Sequence, residues 1–539
     1  MSPSALPTTL RRVPRQLLRT VVCVLAVGVL LGPLLGLLAA LCRDALHLPS
    51  WRVLFLDTRP WGLFLRSLLF SGAVATSALT LGTLAALLMK RYPVLGRMFL
   101  LLLPALIIVP PYLLGVAWTT CFFTWNTAFN GSGASGLLVE GWLGAWWVEV
   151  MALLPLATGF AVMSLESINP AVLEAARLTH AEARVFARIG LPLAWPLLAV
   201  GGGFLLLISL MDYSIPSLFA TNVYAMEIFS RYSADGNAGM ALLTALPLLG
   251  VLALLLTFGL STLRQAASTP AYAGWQFPPR TEWPLWWSLG QWGAGILVLA
   301  QVVVPTGMML WLTGSPAHLL QFLHTAHGEL TYTLALAGAA IAVGVPLALF
   351  LAGQLARPGL VGRVWWLIIL APLVMPASLV GIGMAHLVNL GLDVGINLSR
   401  AAPLLVNLAR FLPVAALICY AQRLRCDPDL LDAARLYQHS VWHGMWRVVL
   451  PIFSPGLLLA ALLLGTFTLS ELGATLMVAE PGSATLMMRL YNLLHYGASQ
   501  EVAALCLVLM SITLGLGLLA TGGVYGWRQR AMPRKVERV

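Results

Sequence analysis

An all-α polytopic membrane protein, with about twelve transmembrane helices in two tandem six-helix repeats, is predicted by three observations. Of the 539 residues, 59% are hydrophobic and 9% charged, against roughly 25% charged in soluble domains. The mean hydropathy of +0.87 is more than a water-facing surface tolerates. A ten-residue segment also recurs half a chain later. Such a composition excludes a soluble enzyme and a nucleic-acid-binding domain. The net charge of +11 then reads as membrane orientation and not as polyanion binding.

A bilayer crossing needs about 20 mostly apolar residues. Twelve stretches qualify: Val21–Leu41, Trp61–Met89, Met98–Phe123, Trp142–Leu165, Ala194–Phe219, Ala238–Thr262, Trp287–Leu312, Leu330–Gln354, Val364–Leu390, Ala401–Ala421, Ser454–Ala479 and Glu501–Trp527. Their apolarity is continuous, which argues for helices over the alternating strands of a barrel. Arg11, Arg12, Arg15 and Arg19 precede the first stretch. Its apolar run exceeds the roughly 7–15 residues of a signal core, so it is expected to stay as an anchor. A cytoplasmic N-terminus puts most Lys and Arg in inside loops, as the orientation rule requires, and both termini are expected in the cytoplasm of a bacterium, with the chain in its inner membrane.

The recurring segment is NPAVLEAARL (Asn169–Leu178), matched by DPDLLDAARL (Asp427–Leu436) 258 positions later. Pro155 pairs with Pro413 at the same offset. Arg188, Leu191, Pro192, Pro196 and Asp212 pair with Arg447, Leu450, Pro451, Pro455 and Glu471 at 259. Residues 1–263 are therefore read as the first repeat, 264–286 as a Pro-rich cytoplasmic linker, and 287–539 as the second. An even number of spans per repeat makes both halves enter the membrane the same way.

Both copies fall in the cytoplasmic loop between the fourth and fifth spans of their half, residues 166–193 and 422–453. Pro170 and Pro428 can each open a short helix, where a missing amide costs nothing. Glu174 and Asp432 are expected in or near its first turn, where the macrodipole favours a carboxylate. Ala175, Ala176, Ala433 and Ala434 offer a small face that another surface can approach.

At these residues a family resemblance emerges. EAARLTHAEARVFARIGLP (Glu174–Pro192) and DAARLYQHSVWHGMWRVVLP (Asp432–Pro451) resemble the EAA loops of binding-protein-dependent ATP-binding-cassette importer permeases. The resemblance implies a type I importer-like fold with two permease units fused in one chain. It also implies that Glu174, Ala175, Ala176, Arg177 and Pro192, with Asp432, Ala433, Ala434, Arg435 and Pro451, form coupling helices on separate ATPase subunits, two copies in all. A soluble substrate-binding protein is implied as a further partner. The family's glycine six residues after the acid is His180 in one copy and Gln438 in the other, and the first copy is one residue shorter. More narrowly, Glu471–Leu494 and Asp212–Ala234 are similar to permeases of the ferric-iron and thiamine group, which also includes relatives importing other small solutes; this implies ferric iron first, otherwise thiamine or a related solute, although Gly473 stands where many ferric permeases carry proline.

Ionisable groups within spans are pathway candidates by default. Asp212 and Glu471 lie at matched positions near the outer ends of the fifth spans. They either line a route for a cationic or metal-bearing solute, or simply cap helix ends or pair with a neighbour at the interface. Glu149 sits in the fourth span at the position of Asn407, and Arg410 lies close to the latter. Either Glu149 and Arg410 pair across the dyad or Arg410 snorkels outward. Pro104, Pro110 and Pro111, and likewise Pro372 and Pro376, imply kinks in the third spans.

Six dispersed cysteines and the clusters His318, His324, His327 and His439, His443 lack metal-ligand companions, so no metal site is expected. No catalytic constellation and no GxxxxGK[ST] phosphate loop are present. The chain is thus expected to be a transport subunit with no cofactor of its own, its ATP hydrolysed by a partner. A twelve-helix secondary transporter is the alternative, but it leaves the two matched loops unexplained.

Overall fold

The computed structural model describes residues 8–44, 58–130, 141–267, 283–424, 426, 444–495 and 499–531. Among these the chain is helical throughout, with no strands. Ten helices are long and apolar enough to cross a membrane, or up to twelve if each of two bent pairs counts as one span.

The bent pairs are the third spans of the two halves, and proline causes both. Helix Pro93–Ile108 stops at Val109, whose extended ψ of 125° is what a residue before proline adopts, and helix Pro111–Asn130 starts afresh. The two meet at 93°. Helices Gly359–Leu373 and Ala377–Asp393 meet at 106° around Pro376. The kinks expected from sequence are complete breaks, so Met98–Phe123 and Val364–Leu390 are not single continuous helices.

The fifth spans are also shorter than hydropathy suggests. Helix Leu191–Met211 ends at Asp212 and helix Leu450–Ser470 ends at Glu471, both in extended conformation, so Ala194–Phe219 and Ser454–Ala479 each run past a real terminus. Asp212 is followed by the short helix Ser214–Leu218 and then by Tyr224–Asp235, which closes on a left-handed Gly236. Tyr224 fastens that segment: its N–H donates to Ser67 Oγ and its hydroxyl to the Thr244 carbonyl at 2.7 Å. Burial pushes this phenol up to about 12. At the joint between halves, helix Ala238–Ala267 extends past the expected start of the linker, and helix Leu285–Thr313 begins before its expected end. Residues 268–282 lie outside the described residues.

Packing divides the chain into two compact units that cut across the sequence halves. One comprises Met1–Leu48, Asn237–Leu242 and Tyr332–Ala484. Here the N-terminal helix Thr8–Asp44 lies so close to Ala377–Asp393 that a side chain on Gly36 would strike the Gly383 carbonyl, and one on Gly383 the Pro33 carbonyl. Lipid supplies no hydrophobic drive between helices, so small residues that permit such contact are what hold the pair. Ala26 and Leu30 of the same helix join Leu351, Ile369, Leu412 and Leu464 in a buried core.

The other unit comprises Pro49–Gly236, Leu243–Thr331 and Thr485–Val539. Helix Thr58–Arg91 meets Gly141–Glu166 at Gly82, where a Cβ would lie 2.7 Å from the Ala157 carbonyl carbon. At their ends Lys90 and Glu166 pair at 2.8 Å. Helix Ser499–Ala531 approaches Ala105 through Gly517, and Leu285–Thr313 accepts the Trp118 indole N–H at the Gln301 carbonyl. The first repeat's core is thus completed by the opening and closing helices of the second.

Candidate functional site

The first repeated loop folds as its sequence dictates. Asn169 caps helix Pro170–Arg177 by accepting the Ala171 N–H at 3.0 Å, and Pro170 takes the first position. Leu173 is buried and anchors the helix, while Val172, Glu174, Ala175 and Leu178 face outward, Leu178 at 87% exposure. Glu174 is the fifth helical residue, and the first turn holds no acid. The macrodipole reading is thereby corrected, since its influence fades beyond the first turn. Glu174 instead presents a charge beside the Ala175–Ala176 step.

Arg177 turns away from that face. Its Nε and Nη2 donate to the two Glu182 carboxylate oxygens, each at 2.9 Å. This bidentate pair ties the helix to the segment Glu182–Val185 across the Leu178–Ala181 turn, so Arg177 braces the helix. His180 stands in the turn without a left-handed backbone, which explains how the loop manages without glycine. A five-residue π turn, Phe186–Gly190, leads into Leu191–Met211, with Pro192 in that helix's first turn. Pro451 opens Leu450–Ser470 in the same way after a matching π turn, Met445–Val449. Asp432, Ala433, Ala434 and Arg435 lie outside the described residues.

The matched acids both terminate helices through their side chains. Asp212 accepts the Ser214 N–H at 2.9 Å and the Ile215 N–H at 3.4 Å. Glu471 accepts the Ala474 N–H at 2.7 Å. Arg410 pairs with Glu471, an acid of its own unit. Glu149 lies 2% exposed, with neither carboxylate oxygen meeting a hydrogen-bond donor. The Ser209 hydroxyl and the Asp212 carboxylate are its polar neighbours. Ser209 Oγ and its counterpart Thr468 Oγ1 are both buried without a partner. Sequence reasoning missed this hydroxyl pair, because a Ser or Thr in an apolar helix ordinarily bonds back to its own backbone.

Among the described residues no group of three or more His, Cys, Asp or Glu could hold a metal ion. His327 Nδ1 lies 2.9 Å from the His324 carbonyl, a local contact.

A helical protein with this many apolar spans, broken in its third spans and carrying an exposed helix before its fifth, has the build of a polytopic membrane protein. The chain is similar to the putative 2-aminoethylphosphonate transport system permease proteins PhnV of Salmonella typhimurium, Salmonella choleraesuis and Salmonella paratyphi A, 34% identical over 90 residues in each case. The matched stretch is 17% of this chain and 34% of each relative, so the chain spans about a third of the length of the curated relatives it matches. No family model matches it. The multi-span fold and this similarity support a transport permease. They do not support the narrower likeness to ferric-iron and thiamine permeases.

Proposed function

We propose that this chain is the permease subunit of an ATP-driven importer in a bacterial inner membrane, moving a small organic solute inward by alternating access. One observation carries the reading: a capped, braced helix presents Glu174, Ala175 and Leu178 outward immediately before a span, and its sequence is repeated at Asp432. Such a surface has no use within the membrane but suits docking by a soluble motor. Two separate ATPase subunits would engage the two loops, and a soluble binding protein would deliver the solute from the other side. Both termini then lie in the cytoplasm, and the two repeats act as the halves that rock. The relatives' name makes an amine-bearing phosphonate the first solute to try, ahead of ferric iron or thiamine.

The test is co-purification of the full chain with its ATPase from membranes, together with uptake, for Glu174→Lys, Asp432→Lys and the double variant at equal membrane levels. Each single reversal is expected to weaken both readouts and the double to abolish them. Wild-type association in the double variant would remove the reading's main support.

A further inference from the structure

Helix Leu285–Thr313 opens the second repeat, yet its first turns are gripped by side chains of the first. Arg91, at the end of helix Thr58–Arg91, donates from Nη1 to Ser288 Oγ at 2.9 Å and to Gln291 Oε1 at 3.4 Å. The Tyr92 and Trp292 rings meet with centroids 5.3 Å apart. The third grip comes from the repeated loop itself. Phe186, 3% exposed, packs against Trp283 and Trp287 with centroids at 6.2 and 5.9 Å, and those two indoles lie 5.4 Å apart. Aromatic pairs at such separations attract through their edges and faces as well as by burial.

Phe186 is also tied to the exposed helix of that loop. A Cβ on Gly190 would lie 3.0 Å from Phe186 Cδ2 and 3.8 Å from Leu173 Cδ2, so the buried anchor of helix Pro170–Arg177 and the Phe186 ring rest on the same glycine. Packed side chains thus run without interruption from the back of the outward face, at Leu173, to the start of the second repeat. The second loop carries Met445 and Val449 at the positions of Phe186 and Gly190. The ring and the small residue that seats it belong to the first loop.

We infer that Phe186 is a positioning residue that carries motion of helix Pro170–Arg177 into helix Leu285–Thr313; this rests on the importer reading above and names how one motor contact reaches both repeats. Close-packed interiors compress little and transmit displacement. A shift of Leu173 moves Phe186, and Trp283 and Trp287 must follow or leave a void. Docking on the first loop therefore moves one helix of each repeat, Leu191–Met211 through the π turn and Leu285–Thr313 through the aromatic contact.

The test uses the full chain in lipid nanodiscs, its native cysteines replaced, with bimane on Leu289→Cys or, as reference, on Trp195→Cys in helix Leu191–Met211; both positions are exposed. Without an ATPase, Phe186→Ala should speed amide exchange over residues 288–292 at least tenfold, whereas Phe186→Leu, which refills most of the space, should change it less than threefold. With the ATPase bound, ATP and vanadate should shift both reporters in the otherwise native chain. Phe186→Ala should cut the shift at 289 at least fivefold and leave that at 195. Trp287→Ala, which keeps every residue of the loop, should reproduce this selective loss, and the double variant should be no worse than either single one. An undiminished shift at 289 in both single variants, equal loss at the two reporters in Trp287→Ala, or unchanged exchange in Phe186→Ala would each overturn the inference. A native chain that binds no ATPase would overturn the importer reading and the inference with it, whereas one that binds it and fails these arms overturns the inference alone.

Discussion

Asp212 and Glu471 close equivalent helices with the same device, a carboxylate taking a backbone N–H two or three residues ahead, yet their surroundings have diverged. Around Glu471 the charge is answered by Arg410, and the neighbouring polar position is a hydrogen-bonded amide. Around Asp212 the neighbouring position is a second carboxylate with no donor. The shared part of the pattern is therefore structural and the unshared part is where function can differ. A duplicated fold keeps its helix-ending contacts because both halves need them, while the charges behind those contacts are free to specialise.

The largest effect should come from breaking the answered side. Arg410→Ala leaves the Glu471 carboxylate, 5% exposed, without its guanidinium. Losing one partner of a buried pair costs about 3–5 kcal/mol, so the thermal midpoint and membrane yield should drop sharply. Adding Glu471→Gln should recover much of that loss. A double variant as unstable as the single would mean that the pair does not hold this region together.

Smaller effects belong to the exposed loop. Arg177→Ala removes a bidentate contact to the buried Glu182 carboxylate, and hydrogen bonds to charged groups are worth about 1.5–3 kcal/mol. Hydrogen exchange should speed up through Leu178–Val185 while the spans stay protected. Unchanged exchange there would show that the loop is held by Leu173 alone. Asn169→Ala takes away the cap at a cost of about 0.5–2 kcal/mol, and faster exchange confined to Pro170–Arg177 is the expected signature.

The smallest effect is chemical. Cys426 donates to the Gln422 carbonyl, and burial raises its thiol above the ordinary range. With the other cysteines replaced, an impermeant maleimide should label it in inverted membranes but not in intact cells. The rate should climb as the pH rises toward that raised value, because only the thiolate reacts. Labelling in intact cells would reverse the proposed topology.

Hydropathy made most of the spans legible, because continuous apolarity is what lipid demands. It overran the fifth spans because Asp212 and Glu471 sit among apolar residues on both sides, and a window average cannot register a side chain that captures the next N–H. Proline at 110 and 376 announced a disturbance but not its size: a kink keeps the axis, whereas the extended Val109 before Pro110 and Pro376 itself, with ψ of 155°, abandon it. Glu174 falls just beyond the first turn, because Pro170 starts the helix four residues ahead of the acid. The exchange of outer helices between repeats was invisible, since Gly36 against Gly383 is a tertiary fit between segments far apart in sequence. The Arg410–Glu471 pair was not legible, because repeat arithmetic gives equivalences and not contacts.

The central claim is that the outward face of helix Pro170–Arg177 meets a soluble ATPase. Its most direct test places a photo-crosslinking residue at exposed position 175 in the otherwise native chain and identifies the adduct after irradiating membranes. An adduct with a nucleotide-binding ATPase subunit, lost in the Glu174→Lys background, is the predicted result. Lipid or solvent quenching with no protein adduct, both at position 175 and at a second probe on the same face at Leu178, would contradict it.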